Sequence, residues 1–393
     1  MHLSDEVKAL EQEVVELRRD LHEHPELGWE EHRTAEVVSG YLSRLGLEVE
    51  RVTTTGVVGL LQGRESGPTL MLRADIDALP IQEETGLPFS SKNEGKMHAC
   101  GHDGHTAMLL VAARILAGYR ERLQGNIKFV FQPNEESVGA KAMIDEGVLE
   151  SPRVDCCLGQ HLWCPLPTGE LGLSSGPIMA GMDHFTLRIK GKGGHTAAPH
   201  MAVDPILCAS EIIQSIQAVQ TRETDPLTPV VIMFGQINGG TASNVIPDQV
   251  EVSGTLRHLC PESGERESSP QGRMERLISH ICQAHRAGYG LDFLYGHPAL
   301  VNDAGIVDLV REATRSCGLD QGAVQPLVTL AGEDFSEFAA RVPSAFYFVG
   351  AGNEEKGTCY PHHHPCFNID EDALSIGVEL HVRSALEYFH RQG

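Results

Sequence analysis

Apolar residues recur every three to four positions over residues 4–24 and again over 31–45, the spacing of helices with one buried face. Gly46 stands where a helix can end on a left-handed residue. Short apolar runs at 57–62, 69–73, 127–131 and 156–160 predict strands, and a helical pattern at 106–122 lies between the second and third of them. Strands alternating with helices predict an α/β layer built on a largely parallel sheet. The pattern changes after Gly181. Residues 185–190 alternate apolar and polar, as a half-exposed strand does. A helix at 204–219, strands at 230–237 and 249–256, a helix at 275–288 and a strand at 291–295 complete the set. This strand-helix-strand-strand-helix-strand order is the split βαβ arrangement of a ferredoxin-like unit. The α/β alternation resumes from Val301. The chain therefore reads as an α/β domain, residues 1–181 plus 299–393, interrupted by a smaller α+β domain at 182–298.

The length of 393 residues agrees with two domains. A formal net charge of -23 repels nucleic acid and anionic membrane surfaces, so neither is expected as a partner. The most apolar stretch, 108–116, is too short to span a bilayer and reads as a buried helix. Residues 5–19 are charged and amphipathic and lack the apolar core of a secretory leader. Most of the ten cysteines sit among apolar residues and read as reduced core positions, which sets the expectation of a cytoplasmic protein.

The densest chemistry lies in Met97-His98-Ala99-Cys100-Gly101-His102-Asp103-Gly104-His105. Cys100 and His102 are one residue apart, and alternate residues on an extended backbone point the same way. A thiolate and an imidazole there could meet one divalent metal ion. The bland alternative is a polar turn capping the next helix through Asp103 or Thr106. Glu135 and Glu136 follow the strand at 127–131. Two adjacent carboxylates cannot share a strand face, so a loop beyond it is expected, where one could hold metal while the other takes a proton from water. Taken alone, a solvated Glu-Glu pair is the commoner case. His161 follows the strand at 156–160, at the carboxyl edge where open α/β sheets gather ligands. His362, His363 and His364 stand between Pro361 and Pro365, which stiffen their loop. Asp77 is a candidate to hold the far nitrogen of a ligating histidine, against the alternative of a plain Asp turn. In the insertion, the Gly193–His200 stretch carries two histidines but fits no phosphate-binding pattern. Arg257, ending the strand at 249–256, could grip a carboxylate or form a rim salt bridge.

Taken together, the residues resemble the M20 metallopeptidase family, and within it the amidohydrolase branch of hippurate hydrolases, bacterial N-acyl-amino-acid deacylases and plant indole-acetyl-amino-acid hydrolases. The resemblance rests on Asp20-Leu21-His22-Glu23-His24-Pro25-Glu26-Leu27-Gly28, Arg73-Ala74-Asp75-Ile76-Asp77-Ala78-Leu79-Pro80 and Met97 to His105. It continues through Phe131-Gln132-Pro133-Asn134-Glu135-Glu136, Gly194 to His200 and Gly332-Glu333-Asp334-Phe335, so it spans nearly the whole chain in order. The resemblance implies a two-metal, zinc-peptidase-like catalytic domain and an inserted ferredoxin-like lid domain that often mediates dimerisation, hence a homodimer or higher homo-oligomer. It implies Cys100, His102, Glu136, His161 and a C-terminal histidine as metal ligands and Glu135 as general base. The family pattern His-x-Pro selects His363, with His364 as rival. A lid histidine matching His195 steadies the tetrahedral intermediate in related enzymes, sometimes across a dimer, and Asn244 and Arg257 resemble lid residues that meet the substrate's polar groups and carboxylate. Asn134 departs from the alanine or glycine commoner at its place.

The implied activity is metal-dependent hydrolysis of the amide bond of small N-acyl-L-amino acids, with an N-acetyl or an aromatic acyl group as in hippurate. The ions would be manganese or zinc, with cobalt or nickel as alternatives. A dipeptidase of the same family and a non-catalytic metal-binding or interaction protein are the rivals. A structural zinc module is disfavoured, because its ligands normally lie in tight paired motifs.

Overall fold

Leu70, Met71, Leu72, Arg73 and Ala74 are all buried, although alternate residues of a strand face opposite ways. Such a strand must be covered on both faces, which is the habit of a parallel sheet between helices. The computed structural model describes residues 3–260, 268–317 and 321–392. The chain divides into two compact units, Met1–Ile178 with Val301–Val328 and Asp334–Gly393, and Met179–Leu300 with Thr329–Glu333.

The larger unit holds an eight-stranded sheet. Its first strands are β1 (Glu48–Val52), β2 (Gly56–Gln62), β3 (Glu65–Asp75), β4 (Gln124–Gln132) and β5 (Cys156–Pro167). The spatial order is β1-β2-β4-β3-β5, then Ser344–Gly352, Leu171–Gly172 and Val324–Gln325. The four central strands, β4, β3, β5 and Ser344–Gly352, run parallel. β1, β2 and Leu171–Gly172 join by antiparallel pairing. The expectation of a largely parallel sheet therefore holds at the centre and is corrected at the edges. Only three residues separate β1 from β2, and a link that short can join only antiparallel strands.

Helix α1 (Leu3–Lys8) and helix α2 (Glu11–Glu23) replace the single helix expected over 4–24. Neither glycine nor proline marks the break, and buried Val7 and Val14 keep the helical spacing across it, so the pattern alone could not show it. Helix α3 (His32–Arg44) follows the expected span. Helix α4 (His102–Gly118) begins at His102 rather than near residue 106 and is buried on almost every side. It carries the apolar stretch read as a buried helix.

The smaller unit is an antiparallel sheet in the order Val230–Gly239, Gln249–His258, Gly181–Lys190, Gly288–His297. Helices Pro205–Ala218 and Pro270–Ala284 cover its apolar face, where Phe185, Leu187 and Ile189 meet Ile212, Ile216 and Ile278. Strands and helices follow one another in the split βαβ order. The second helix starts five residues before the expected 275. Ser269 caps it by accepting the Gly272 N–H, and Pro270 suits its first turn. Among the described residues no helix is long and apolar enough to cross a membrane. All ten cysteines are free thiols.

Candidate metal centre

Parallel strands present their carboxyl ends at one edge of the sheet, and loops leaving that edge converge. Asp75 ends β3 and Asp77 follows it. Glu135 and Glu136 sit together in a single 3-10 turn, Glu135–Ser137, just beyond β4. His161 lies within β5, and His363 lies in the loop after Ser344–Gly352. Cys100 and His102 flank the start of α4.

The extended backbone expected between Cys100 and His102 is corrected. Gly101 has φ +90°, a left-handed conformation, and serves as the residue capping α4. Glycine is the residue that takes this turn at little cost. The turn still gathers both side chains. The candidate ligand atoms of Cys100, His102 and His161 lie within 4.8 Å of one another, as do those of Cys100, Glu136 and His363, and those of His102, Glu135 and Glu136. Cys100 Sγ is 3.5 Å from His161 Nε2, and His363 Nε2 is 3.2 Å from Glu136 Oε1.

The unused atoms test whether cations fit. His102 Nε2 and Glu136 Oε1 are buried without a hydrogen bond, so the close approach of His363 to Glu136 lacks hydrogen-bond alignment. The opposite ring nitrogens are engaged: His102 Nδ1 is 2.9 Å from the Asp77 carbonyl and 3.2 Å from Asp77 Oδ1, and His161 Nδ1 is 2.7 Å from the Leu162 carbonyl. A proton on Nδ1 leaves the Nε2 lone pair aimed into the cluster, the tautomer a metal ligand needs. A thiol, imidazoles and a carboxylate form a donor set suited to zinc and related divalent ions. The residues therefore fit a pair of such cations.

Electrostatics agree. Burial pulls the His102 imidazole down, but Asp75 and Cys100 outweigh it and hold it well above its ordinary value. The Cys100 and Glu136 side chains close beside it raise His363 to about 10. Burial, reinforced by His105, keeps His161 neutral. Protons on His102 and His363 thus occupy the place of positive charge, and a bound cation would displace them.

The neighbouring candidates turn elsewhere. His105 Nδ1 lies 2.6 Å from Asp75 Oδ1, and its Nε2 accepts the Leu162 N–H at 2.9 Å. Asp103 accepts from Arg18 and contacts His22 Nδ1, both at 2.8 Å. His98 is buried with both ring nitrogens unpaired, and burial pushes it down to about 4. In the histidine triplet, His362 Nε2 is 3.0 Å from the Leu162 carbonyl, while His364 accepts the Cys366 N–H and stacks on Tyr360. His363 is the member that faces Glu136. Its φ of +65° is unusual for a residue with a side chain, and its N–H donates to the Ala99 carbonyl at 2.8 Å, beside Cys100.

Three candidates lie in the smaller unit. His195 is exposed, pairs with Val245 across two short strands, and accepts the Ala197 N–H on Nδ1 at 3.0 Å. Asn244 is also exposed, and its carbonyl accepts the Thr196 N–H. Arg257 is half-buried and donates to the Leu330 carbonyl at 3.0 Å. His195 and Asn244 are thus neighbours in the chain's fold, and Arg257 is tied to a backbone group.

Two supporting features escaped the reading of the residues. Arg73 is buried and bridges Asp75, Gln132 and Asp334, and Asp334 in turn accepts the Ala140 N–H. Glu31 is buried against the turn that carries Glu135. Arg73, Gln132 and Asp334 lie inside the quoted motifs, and a charged or polar residue near the end of an apolar strand was the available signal for Arg73 and Gln132. Glu31 lies in an ordinary charged stretch and gave none.

The profile of peptidase family M20/M25/M40 matches residues 71–387. An N-acyl-L-amino acid amidohydrolase of Geobacillus stearothermophilus is 45% identical over 303 residues, 76% of this chain and 80% of that one. Thermostable carboxypeptidase 1 of Saccharolobus solfataricus is 38% identical over 395 residues, 99% of this chain and 98% of its own. Among solved structures, the Bacillus subtilis YXEP protein, a dinuclear metal binding peptidase from the M20 family, aligns with a TM-score of 0.85 at 35% identity, over 98% of this chain and 99% of that one.

Proposed function

The chain belongs to peptidase family M20/M25/M40 and is a hydrolase of amide bonds, and on that premise we propose that it removes the acyl group from N-acyl-L-amino acids. The observation that carries this reading is the convergence of Cys100, His102, Glu136, His161 and His363 beside the carboxylate of Glu135. Cys100 joins the group with His102 and His161 to the group with Glu136 and His363, which makes it the natural shared ligand. His102 and His161 would complete one site, and Glu136 and His363 the other.

Two divalent ions held there, manganese or zinc, would lower the pKa of a water and polarise the scissile carbonyl. Glu135 takes the proton of the attacking water at its carboxylate and delivers it to the departing amine. Asp77 holds His102 by Nδ1 and accepts the Glu136 N–H at 3.1 Å, so one side chain orients a ligand from each site. The smaller unit acts as the lid, in which His195 donates to the developing oxyanion. Arg257 and Asn244 meet the substrate's carboxylate and polar groups. Exposed Met233, Ile237 and Leu294 on sheet strands of that unit support self-association through it.

A second reading is favoured by the Saccharolobus relative, which is named a carboxypeptidase and matches along nearly its full length. One panel separates the two: N-acetyl amino acids, hippurate and the corresponding dipeptides, assayed with defined manganese or zinc and read as amine release. Preference for the blocked substrates supports the deacylase. Equal or better cleavage of free dipeptides supports the peptidase.

A further inference from the structure

Glu31 is a carboxyl with 0% exposure and, among the described residues, no basic side chain pairs with it. It opens α3 but does not cap it. Glu26 does that, accepting the N–H groups of Arg33 and Thr34 at 3.0 and 2.8 Å. The Glu31 carboxylate reaches away from its own helix. Oε1 accepts the Asn134 N–H at 2.9 Å, and Oε2 accepts the Thr55 hydroxyl at 2.5 Å. Burying an unpaired carboxyl is costly, and desolvation raises this one to about 7.

Asn134 is itself constrained. Its φ is +54°, its Nδ2 donates to the Ser137 carbonyl, and its side chain fills the space beside Gly28, where an added Cβ would meet Oδ1 at 1.9 Å. Two residues on, the Glu136 N–H is held by Asp77 Oδ2. The backbone on either side of Glu135 is therefore gripped by two buried carboxyl groups from separate segments.

We propose that Glu31 is a positioning residue for the catalytic turn: by holding the Asn134 N–H it keeps the left-handed entry from which Glu135 and Glu136 project. This rests on the base and ligand roles proposed for those two residues. The hydrogen bond, not the charge, is the working element.

The test compares E31Q, E31D and E31A with T55V, which removes the other partner of Glu31 and leaves the Asn134 contact in place. The amide oxygen of E31Q can still accept from Asn134, whereas E31D is one methylene too short. Loss of the contact should lower kcat about 100-fold, the scale of a roughly 1 Å misplacement. KM should stay within about two-fold, since the substrate's own contacts are untouched. The expected order of kcat is E31Q near wild type, then E31D, then E31A, with T55V unaffected whatever its melting temperature. A second readout needs no turnover: metal affinity by competition with a chelator should weaken about ten-fold in E31A, because Glu136 rides on the same turn. If the wild type binds metal but hydrolyses no amide, the proposed function fails and this affinity readout still decides the role of Glu31. E31A with wild-type kcat and metal affinity would overturn the proposal. So would E31D active and E31Q inactive, which would mark a need for charge. If E31A does not fold, the order of E31Q and E31D decides.

Discussion

The candidate residues of the two units are held very differently. In the larger unit, His102, His161 and Asp77 are buried, and each is fixed by a backbone or side-chain hydrogen bond behind it. In the smaller unit, His195 and Asn244 are exposed, and Arg257 rests on a backbone carbonyl. Buried polar groups must be paired, so the first set is organised before any ligand arrives. The second set can acquire its productive geometry on meeting a substrate. The chemistry we propose is thus built into the larger unit, while the recognition roles we propose fall to the smaller one.

Substitutions can break or sharpen that contrast. Cys100→Ala removes the ligand proposed to be shared by both sites and should cost the largest effect, about four orders of magnitude in kcat, with metal content falling below two ions per chain. Metal analysis beside the rate assay checks it, and two ions with high activity would mean that Cys100 is not shared. Asp77→Ala frees His102 Nδ1 and the Glu136 N–H together, and should cost 10- to 100-fold (an order-of-magnitude range) in metal affinity or activity. Arg257→Ala should act on KM, raising it roughly ten-fold while sparing kcat, if its guanidinium serves recognition. A collapse of kcat alone would place it with the chemistry and erase the contrast between the units.

The smallest effect concerns pH. Burial raises the Glu31 carboxyl from an ordinary 4.5 to about 7. The folded form keeps this proton to higher pH than the unfolded chain does, so ionisation costs stability above about pH 7 and nothing below about 4.5. Asp77 is the charge that faces it and adds to the rise. E31Q, which mimics the protonated form, should melt a few degrees higher than wild type at pH 8, with the difference shrinking toward pH 5. Equal melting temperatures at pH 8 would show that the buried carboxyl carries no such cost.

The sequence exposed what depends on local pattern. Amphipathic spacing located α3, and the alternation in residues 185–190 located a strand with one buried face. The break between α1 and α2 was hidden, because Val7 and Val14 continue the same spacing. The antiparallel edges were hidden too, since strand direction is settled by partners far along the chain. Cys100 and His102 were legible as candidate ligands that converge, but for a reason that the left-handed Gly101 replaces. His363 was separable from His362 and His364 in the residues only through the resemblance; in the fold, the partners of the other two leave His363 facing Glu136. Glu31 stayed invisible because its role depends on a contact with Asn134, more than a hundred positions away.

The central claim is that ligands and base are separate residues on one turn, Glu136 holding metal and Glu135 moving the proton. Glu135→Gln tests it, with metal content and N-acetyl amino acid hydrolysis measured on the same sample. The account predicts wild-type metal content and a loss of turnover of roughly 100- to 10,000-fold, the range for a general base. Hydrolysis near the wild-type rate, or metal lost along with activity, would contradict it.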